Sequence, residues 1–108
     1  MTHWIEACRL QDIPPLGARV LQRSEGNISL FRTSDDRVFA LADSCPHKNG
    51  PLSQGIVHGH LVTCPLHDWV IDLATGKARV PDVGCTASYP VRIENGVVML
   101  ALEAVAAA

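Results

Sequence analysis

Two Cys and two His stand in two short clusters: Cys45 and His47 with one residue between them, then, after sixteen more, Cys64 and His67 with two between them. Four soft or borderline ligands at that density can close a metal site, and thiolate with imidazole suits either zinc or an iron–sulfur cluster. The order Cys, His, Cys, His bears on the choice. A zinc ion gathers its four ligands at one centre, commonly two Cys from one knuckle and two His from a later one. A [2Fe–2S] rhomb has two irons, so each knuckle can place its Cys on one iron and its His on the other. The order favours the cluster, and a non-redox zinc module for protein interaction is the alternative that the same residues allow.

The flanking residues suit loops. Pro46 and Pro65 each follow a candidate ligand Cys, fixing φ and withholding an N–H, and Gly50, Pro51 and Gly55 break the first knuckle further. Loops of this kind can turn backbone N–H groups toward sulfur, where each donor stabilises the added negative charge of a reduced cluster.

The strings Cys45-Pro46-His47 and Cys64-Pro65-Leu66-His67 resemble the two ligand boxes of Rieske [2Fe–2S] proteins, with every ligand position filled. The longer stretches CPHKNGPLSQG, CPLHDWVIDLATGKA and GCTASYPVRIENGVV extend the resemblance over about residues 2–102, to the small subunit of the assimilatory NAD(P)H-dependent nitrite reductase. Ferredoxin components of aromatic-ring-hydroxylating dioxygenases are similar in length and ligand spacing and give the alternative. The resemblance implies an all-β Rieske fold of stacked antiparallel sheets forming one domain over residues 1–108, with residues 43–75 as a small cluster-binding subdomain on a β base. It implies Cys45 and Cys64 on one iron, and His47 and His67 on the other. The implied partner is a large subunit carrying siroheme, a [4Fe–4S] cluster, FAD and the NAD(P)H site. This chain has no Gly-rich dinucleotide loop, flavin signature or catalytic pair of its own, so its expected work is electron transfer or support within such a complex. High-potential Rieske proteins tie their loops together with an extra Cys beside each box. Gly50 and Leu66 stand there, and Asp68 replaces the Ser that follows their second ligand His.

Composition narrows the setting. A chain of 108 residues with 47% hydrophobic content is one modest domain, and a net charge of -2 offers no basic field for nucleic acid. The first twenty residues hold no apolar signal core and no twin arginine, and no long apolar run follows, so a soluble, cytoplasmic protein away from membranes is expected. In a reducing cytosol Cys8 and Cys85 are expected as free, buried thiols, with a disulfide between them as the alternative.

The elements that must carry the boxes read as short strands. Residues 4–8, 18–22, 28–32 and 38–42 alternate well enough for strands, with a loop at 10–15 and turns at 24–27 and 33–36. Between the boxes, residues 55–63 predict a tight hairpin that returns Cys64 beside Cys45, with His58 and His60 as solvated residues straddling its tip. Residues 69–73 and 77–80 predict another hairpin, with Trp69 shielding the cluster, docking a partner, or packed behind the ligand loop. A loop at 81–85 follows, then a hairpin of 88–94 with 97–102 across Asn95-Gly96, the dipeptide suited to a type I′ turn. Residues 104–108 are expected to fray, and no helix has convincing caps.

Without the inter-loop tie and the Ser, the cluster is expected near the lower end of the Rieske range, about -150 mV. Its imidazoles should also keep their protons near neutrality. Voltammetry at several pH values around 7 should then give an almost flat potential. Coupled proton loss would instead give a slope near about 59 mV per pH unit, and a positive potential would contradict the inference from Gly50, Leu66 and Asp68.

Overall fold

Residues 38–42 are all apolar, and in 28–32 a strand puts Ile28 and Leu30 on one face and Phe31 on the other, so both segments must be covered on both faces. The computed structural model, which describes residues 4–24, 26–46, 50–65, 68–80 and 82–102, has that arrangement. Its ten strands are β1 (Trp4–Arg9), β2 (Ala18–Leu21), β3 (Ile28–Arg32), β4 (Val38–Ala42), β5 (Ile56–His58), β6 (Leu61–Thr63), β7 (Val70–Asp72), β8 (Ser88–Tyr89), β9 (Val91–Glu94) and β10 (Val97–Ala101). They form three antiparallel sheets in the orders β1-β10-β9, β2-β3-β4-β8 and β5-β6-β7. The expected all-β class of stacked antiparallel sheets is met.

The four-stranded sheet is the middle layer. On one face Ile28, Leu30, Val38 and Ala40 pack with Val98 and Leu100 of β10 and with Ile13. On the other, Phe31 and Leu41 pack with Val57, Val62, Ile71 and Leu73 of the β5-β6-β7 side, and Leu52, Cys45 and Cys64 share that core. Strand alternation produces this division, because neighbours such as Leu30 and Phe31 must point to opposite faces. Ser29 lies wholly buried in β3, and its hydroxyl donates to the Leu41 carbonyl at 3.1 Å, which offsets the cost of burying it.

Several expectations are corrected. Residues 10–15 include a one-turn 3₁₀ helix at Leu10–Asp12, whose start is held by the Arg9 N–H donating to the Asp12 carboxylate at 3.0 Å. The stretch 88–94 is two strands. Pro90 has no N–H for a ladder, and there the chain leaves β4, the partner of β8, for β10, the partner of β9. Residues 77–80 make no continuous strand. They still turn back along the edge of β7 that β6 leaves open: Ile71 bridges to Ala78, the Asp72 N–H donates to the Lys77 carbonyl and the Arg79 N–H to the Val70 carbonyl, both at 2.8 Å, and Lys77 also bridges to Cys85.

The Asn95-Gly96 turn is as expected, with φ of 52° and 77°, both positive as a type I′ turn requires. At the β5–β6 tip, Gly59 and His60 form the turn itself. His60 is not simply solvated: its Nε2 lies 3.2 Å from the Asp35 carboxylate, and its ring lies 5.2 Å from that of Phe39. The Thr33 hydroxyl, first, and then His60 hold the Asp35 carboxyl below the ordinary carboxylate range. Residues 104–108 lie outside the described residues. Among those described, no helix is long and apolar enough to cross a membrane.

Phe31 is wholly buried where the middle sheet meets the β5-β6-β7 side. Phe31→Ala should cost about 3–5 kcal/mol in a urea titration. Val20→Thr, at a position 37% exposed on β2, should stay within about 0.5 kcal/mol of the native value.

Candidate metal centre

Cys45 stands three residues past the end of β4, and Cys64 directly follows the end of β6. Both are buried to 0% exposure, both are free of disulfides, and both belong to the same apolar core beneath the middle sheet. The two halves of the chain reach that core by different routes. β4 is held in the sheet by β3, while the β5–β6 hairpin, paired Ile56 to Thr63, brings the chain back so that Cys64 emerges level with Gly55.

Each Cys also opens a turn of the same form. The Cys45 N–H donates to the Gly50 carbonyl at 2.8 Å, and the Cys64 N–H donates to the Trp69 carbonyl at 2.7 Å. Each donor bonds to the carbonyl five positions along, so the chain returns to its own cysteine in both boxes. Local sequence permits the return. Pro46 and Pro65 restrict φ directly after each Cys, and Asp68 sits at φ 57°, a left-handed conformation that Asp tolerates better than bulky or β-branched residues do.

A side-chain clamp holds the first turn from outside. The Asp43 carboxylate accepts from the Ser53 N–H at 2.7 Å and from the Ser53 hydroxyl at 2.9 Å, tying the end of β4 to the 3₁₀ turn at Leu52–Gln54. The Asp43 N–H donates to the Asn27 carbonyl at 2.9 Å, which fixes the carboxylate's own backbone. Gly55 follows with no room to spare, since a Cβ there would lie 2.3 Å from the Thr63 carbonyl oxygen. Any other residue would push the hairpin away from the clamp.

Of the four ligands expected from sequence, the structure brings Cys45 and Cys64 into one core, and His47 and His67 lie outside the described residues. Among the described residues no three His, Cys, Asp or Glu side chains converge as a second metal site. The two sulfurs fit an iron–sulfur centre: they are soft donors, shielded from water, at the start of two matching turns. Trp69 is half-buried against the same core, so it packs behind the second turn. Cys8 is a half-buried thiol whose pKa is pushed up by burial, against the lowering field of Arg19. Cys85 is exposed rather than buried as expected. Sequence reading missed the Asp43–Ser53 clamp. Its signal is an Asp two positions before a candidate ligand Cys with a Ser ten positions on, visible only once residues 43–53 are known to fold back.

Comparison with known proteins gives the centre its context. The Rieske [2Fe-2S] domain family matches residues 3–90. The ferredoxin component of the naphthalene 1,2-dioxygenase/salicylate 5-hydroxylase systems of Ralstonia sp is 34% identical over 94% of this chain and 97% of its own length. Among solved structures, a ferredoxin in complex with the oxygenase of carbazole 1,9a-dioxygenase superposes with a TM-score of 0.83 at 25% identity, over 94% of this chain and 95% of that one. A Mycobacterium tuberculosis chain named as an NADH-dependent nitrite reductase small subunit gives 0.84 at 24% identity, over 97% of this chain and 99% of that one, a likeness of fold.

Asp43→Ala would leave the Ser53 N–H and hydroxyl without their acceptor. It should cost about 1–3 kcal/mol, toward the lower end because the pair is only partly buried. Asp43→Asn can still accept from the N–H and donate to the hydroxyl, so a denaturant titration should find it losing less than half as much.

Proposed function

Because the chain belongs to the Rieske [2Fe–2S] domain family, we propose that it is the small, electron-carrying subunit of an NAD(P)H-dependent nitrite reductase. A Rieske domain transfers electrons through a [2Fe–2S] cluster, and that cluster is this chain's cofactor. Cys45 and Cys64 would hold one iron as thiolates, and His47 and His67 the other as neutral imidazoles. Once bound, the cluster takes up and gives back one electron at a time.

The chain's own residues set the conditions for that exchange. Burial of Cys45 and Cys64 keeps water from the sulfur end, and the two returning turns hold the thiolates in place with little left to reorganise when charge arrives. Neutral imidazoles leave the centre less negative than four thiolates would, which raises its potential above that of plant-type ferredoxins. In this reading residues 43–75 form the cluster-binding subdomain of a single domain, and the protein works in the cytoplasm.

The observation that carries the nitrite reductase reading is the string through and beyond both boxes, CPHKNGPLSQG, CPLHDWVIDLATGKA and GCTASYPVRIENGVV. No group on the chain is suited to reducing nitrite alone, so the reading requires a large subunit with siroheme, a [4Fe–4S] cluster, FAD and an NAD(P)H site. A second reading, a ferredoxin that shuttles electrons to an aromatic-ring-hydroxylating oxygenase, is favoured by the full-length identity to the Ralstonia ferredoxin. The two differ in how the partner is held. Co-expressed with such a large subunit, the chain should co-elute with it through size-exclusion chromatography and be required for NAD(P)H-driven nitrite reduction. A chain that elutes alone, leaves nitrite reduction unchanged and passes electrons to a ring-hydroxylating oxygenase would establish the second reading instead.

A further inference from the structure

Beyond the two boxes, the loop that follows β7 brings Gly84 beside both the first and the second. The loop is pinned at both ends: the Arg79 N–H donates to the Val70 carbonyl at 2.8 Å, the Ala78 N–H to the Gly84 carbonyl at 2.9 Å, and Lys77 bridges to Cys85. Gly84 stands at φ +153°, a conformation that side chains rarely adopt. A Cβ built on it would lie 3.1 Å from Pro46 Cβ, 3.5 Å from Pro46 Cγ and 3.5 Å from Trp69 Cζ3. Pro46 adjoins Cys45, and Trp69 closes the second turn by accepting the Cys64 N–H. A contact with one box would be ordinary packing. A contact with both helps to set the gap between them.

We propose that Gly84 is a positioning residue for the iron–sulfur centre: its missing side chain lets its backbone lie against Pro46 and Trp69 together, and so fixes the spacing of the two ligand turns. The proposal rests on the ligand assignment above. The magnitudes support it. At 3.1 Å from Pro46 a new methyl demands a shift of a few tenths of an ångström. Metal–ligand distances tolerate about 0.2 Å. Neither neighbour yields freely, since the Pro46 ring is closed and the Trp69 backbone is bonded to Cys64. A methyl on Gly84 is therefore passed on to the sulfurs.

The test compares loaded Gly84→Ala with loaded Gly26→Ala. Gly26, at φ +123° with nothing within 4 Å of its Cβ position, carries the same kind of backbone strain and no contact. Three quantities are read: the rate of iron release to a chelator, the EPR g-values of the reduced protein, and the reduction potential. G84A should release iron about tenfold faster than wild type, with g-values and potential displaced, while G26A keeps wild-type values. Equality of G84A and G26A in all three overturns the proposal. If G84A takes up no cluster, Pro46→Gly/Gly84→Ala, which removes the Cβ atom that the methyl presses on, should restore loading, and failure to restore it overturns the proposal as well. A wild type without a mixed-ligand [2Fe–2S] spectrum overturns the ligand assignment and this proposal together. A wild type that has the spectrum, beside an indifferent G84A, overturns only the role of Gly84.

Discussion

Two sulfur atoms drawn into one apolar core, each at the start of a turn closed by its own backbone N–H, are the constraint the rest of the structure serves. Polar backbone at such a place must be satisfied locally, because water is excluded and an unmade hydrogen bond there is costly. The bonds from Cys45 to Gly50 and from Cys64 to Trp69 meet that need with the same spacing in both boxes. Symmetry of that kind suits a centre with two metal atoms gripped from two sides.

The middle sheet supplies the platform. Because β3 and β4 are apolar on both faces, one sheet serves two cores: one with β10 on the far side, one with Cys45, Cys64 and the β5-β6-β7 strands on the near side. A chain of 108 residues has little core to spare, and sharing one sheet between two packing faces is an economical use of it. The first cysteine stands three residues past a strand of that platform, on a link that the Asp43 N–H ties to Asn27, so its position is inherited from the middle sheet. The second arrives on a three-residue strand, and its place depends on the hairpin, on Gly55 and on the pairing of β6 with β7.

The parts of this arrangement legible in the sequence are those fixed by local chemistry. Asn95-Gly96 accepts positive φ at two successive positions, so its hairpin could be placed from the dipeptide. The β2–β3–β4 meander and the hairpin between the boxes follow from short alternating runs with turn residues between them, and the boxes announce themselves through ligand type and spacing. What was not legible depends on pairing across long sequence distances. Residues 77–79 do fold back on β7, but how far the pairing runs depends on Gly84 and Cys85, which bond to Ala78 and bridge to Lys77 from outside the hairpin. The break at Pro90 has a local cause, but the change of sheet that goes with it needs β4 and β10 in place. His60 meets Asp35 only because two hairpin tips converge, and Gly84 looks like any loop glycine until Pro46 and Trp69 are beside it.

The claim beneath all of this is that the two turns grip a pair of sulfide-bridged irons unequally, with nitrogen at one end and sulfur at the other. The most direct measurement is EPR spectroscopy of the anaerobically purified, reduced protein, read beside its iron and acid-labile sulfide content. The account predicts a rhombic signal with an average g lower than that of an all-thiolate [2Fe–2S] centre, with iron and sulfide in equal amounts, and both lost from the His47→Ala/His67→Ala variant. A colourless protein with a single zinc and no sulfide, or a double variant that keeps its cluster intact, would contradict it.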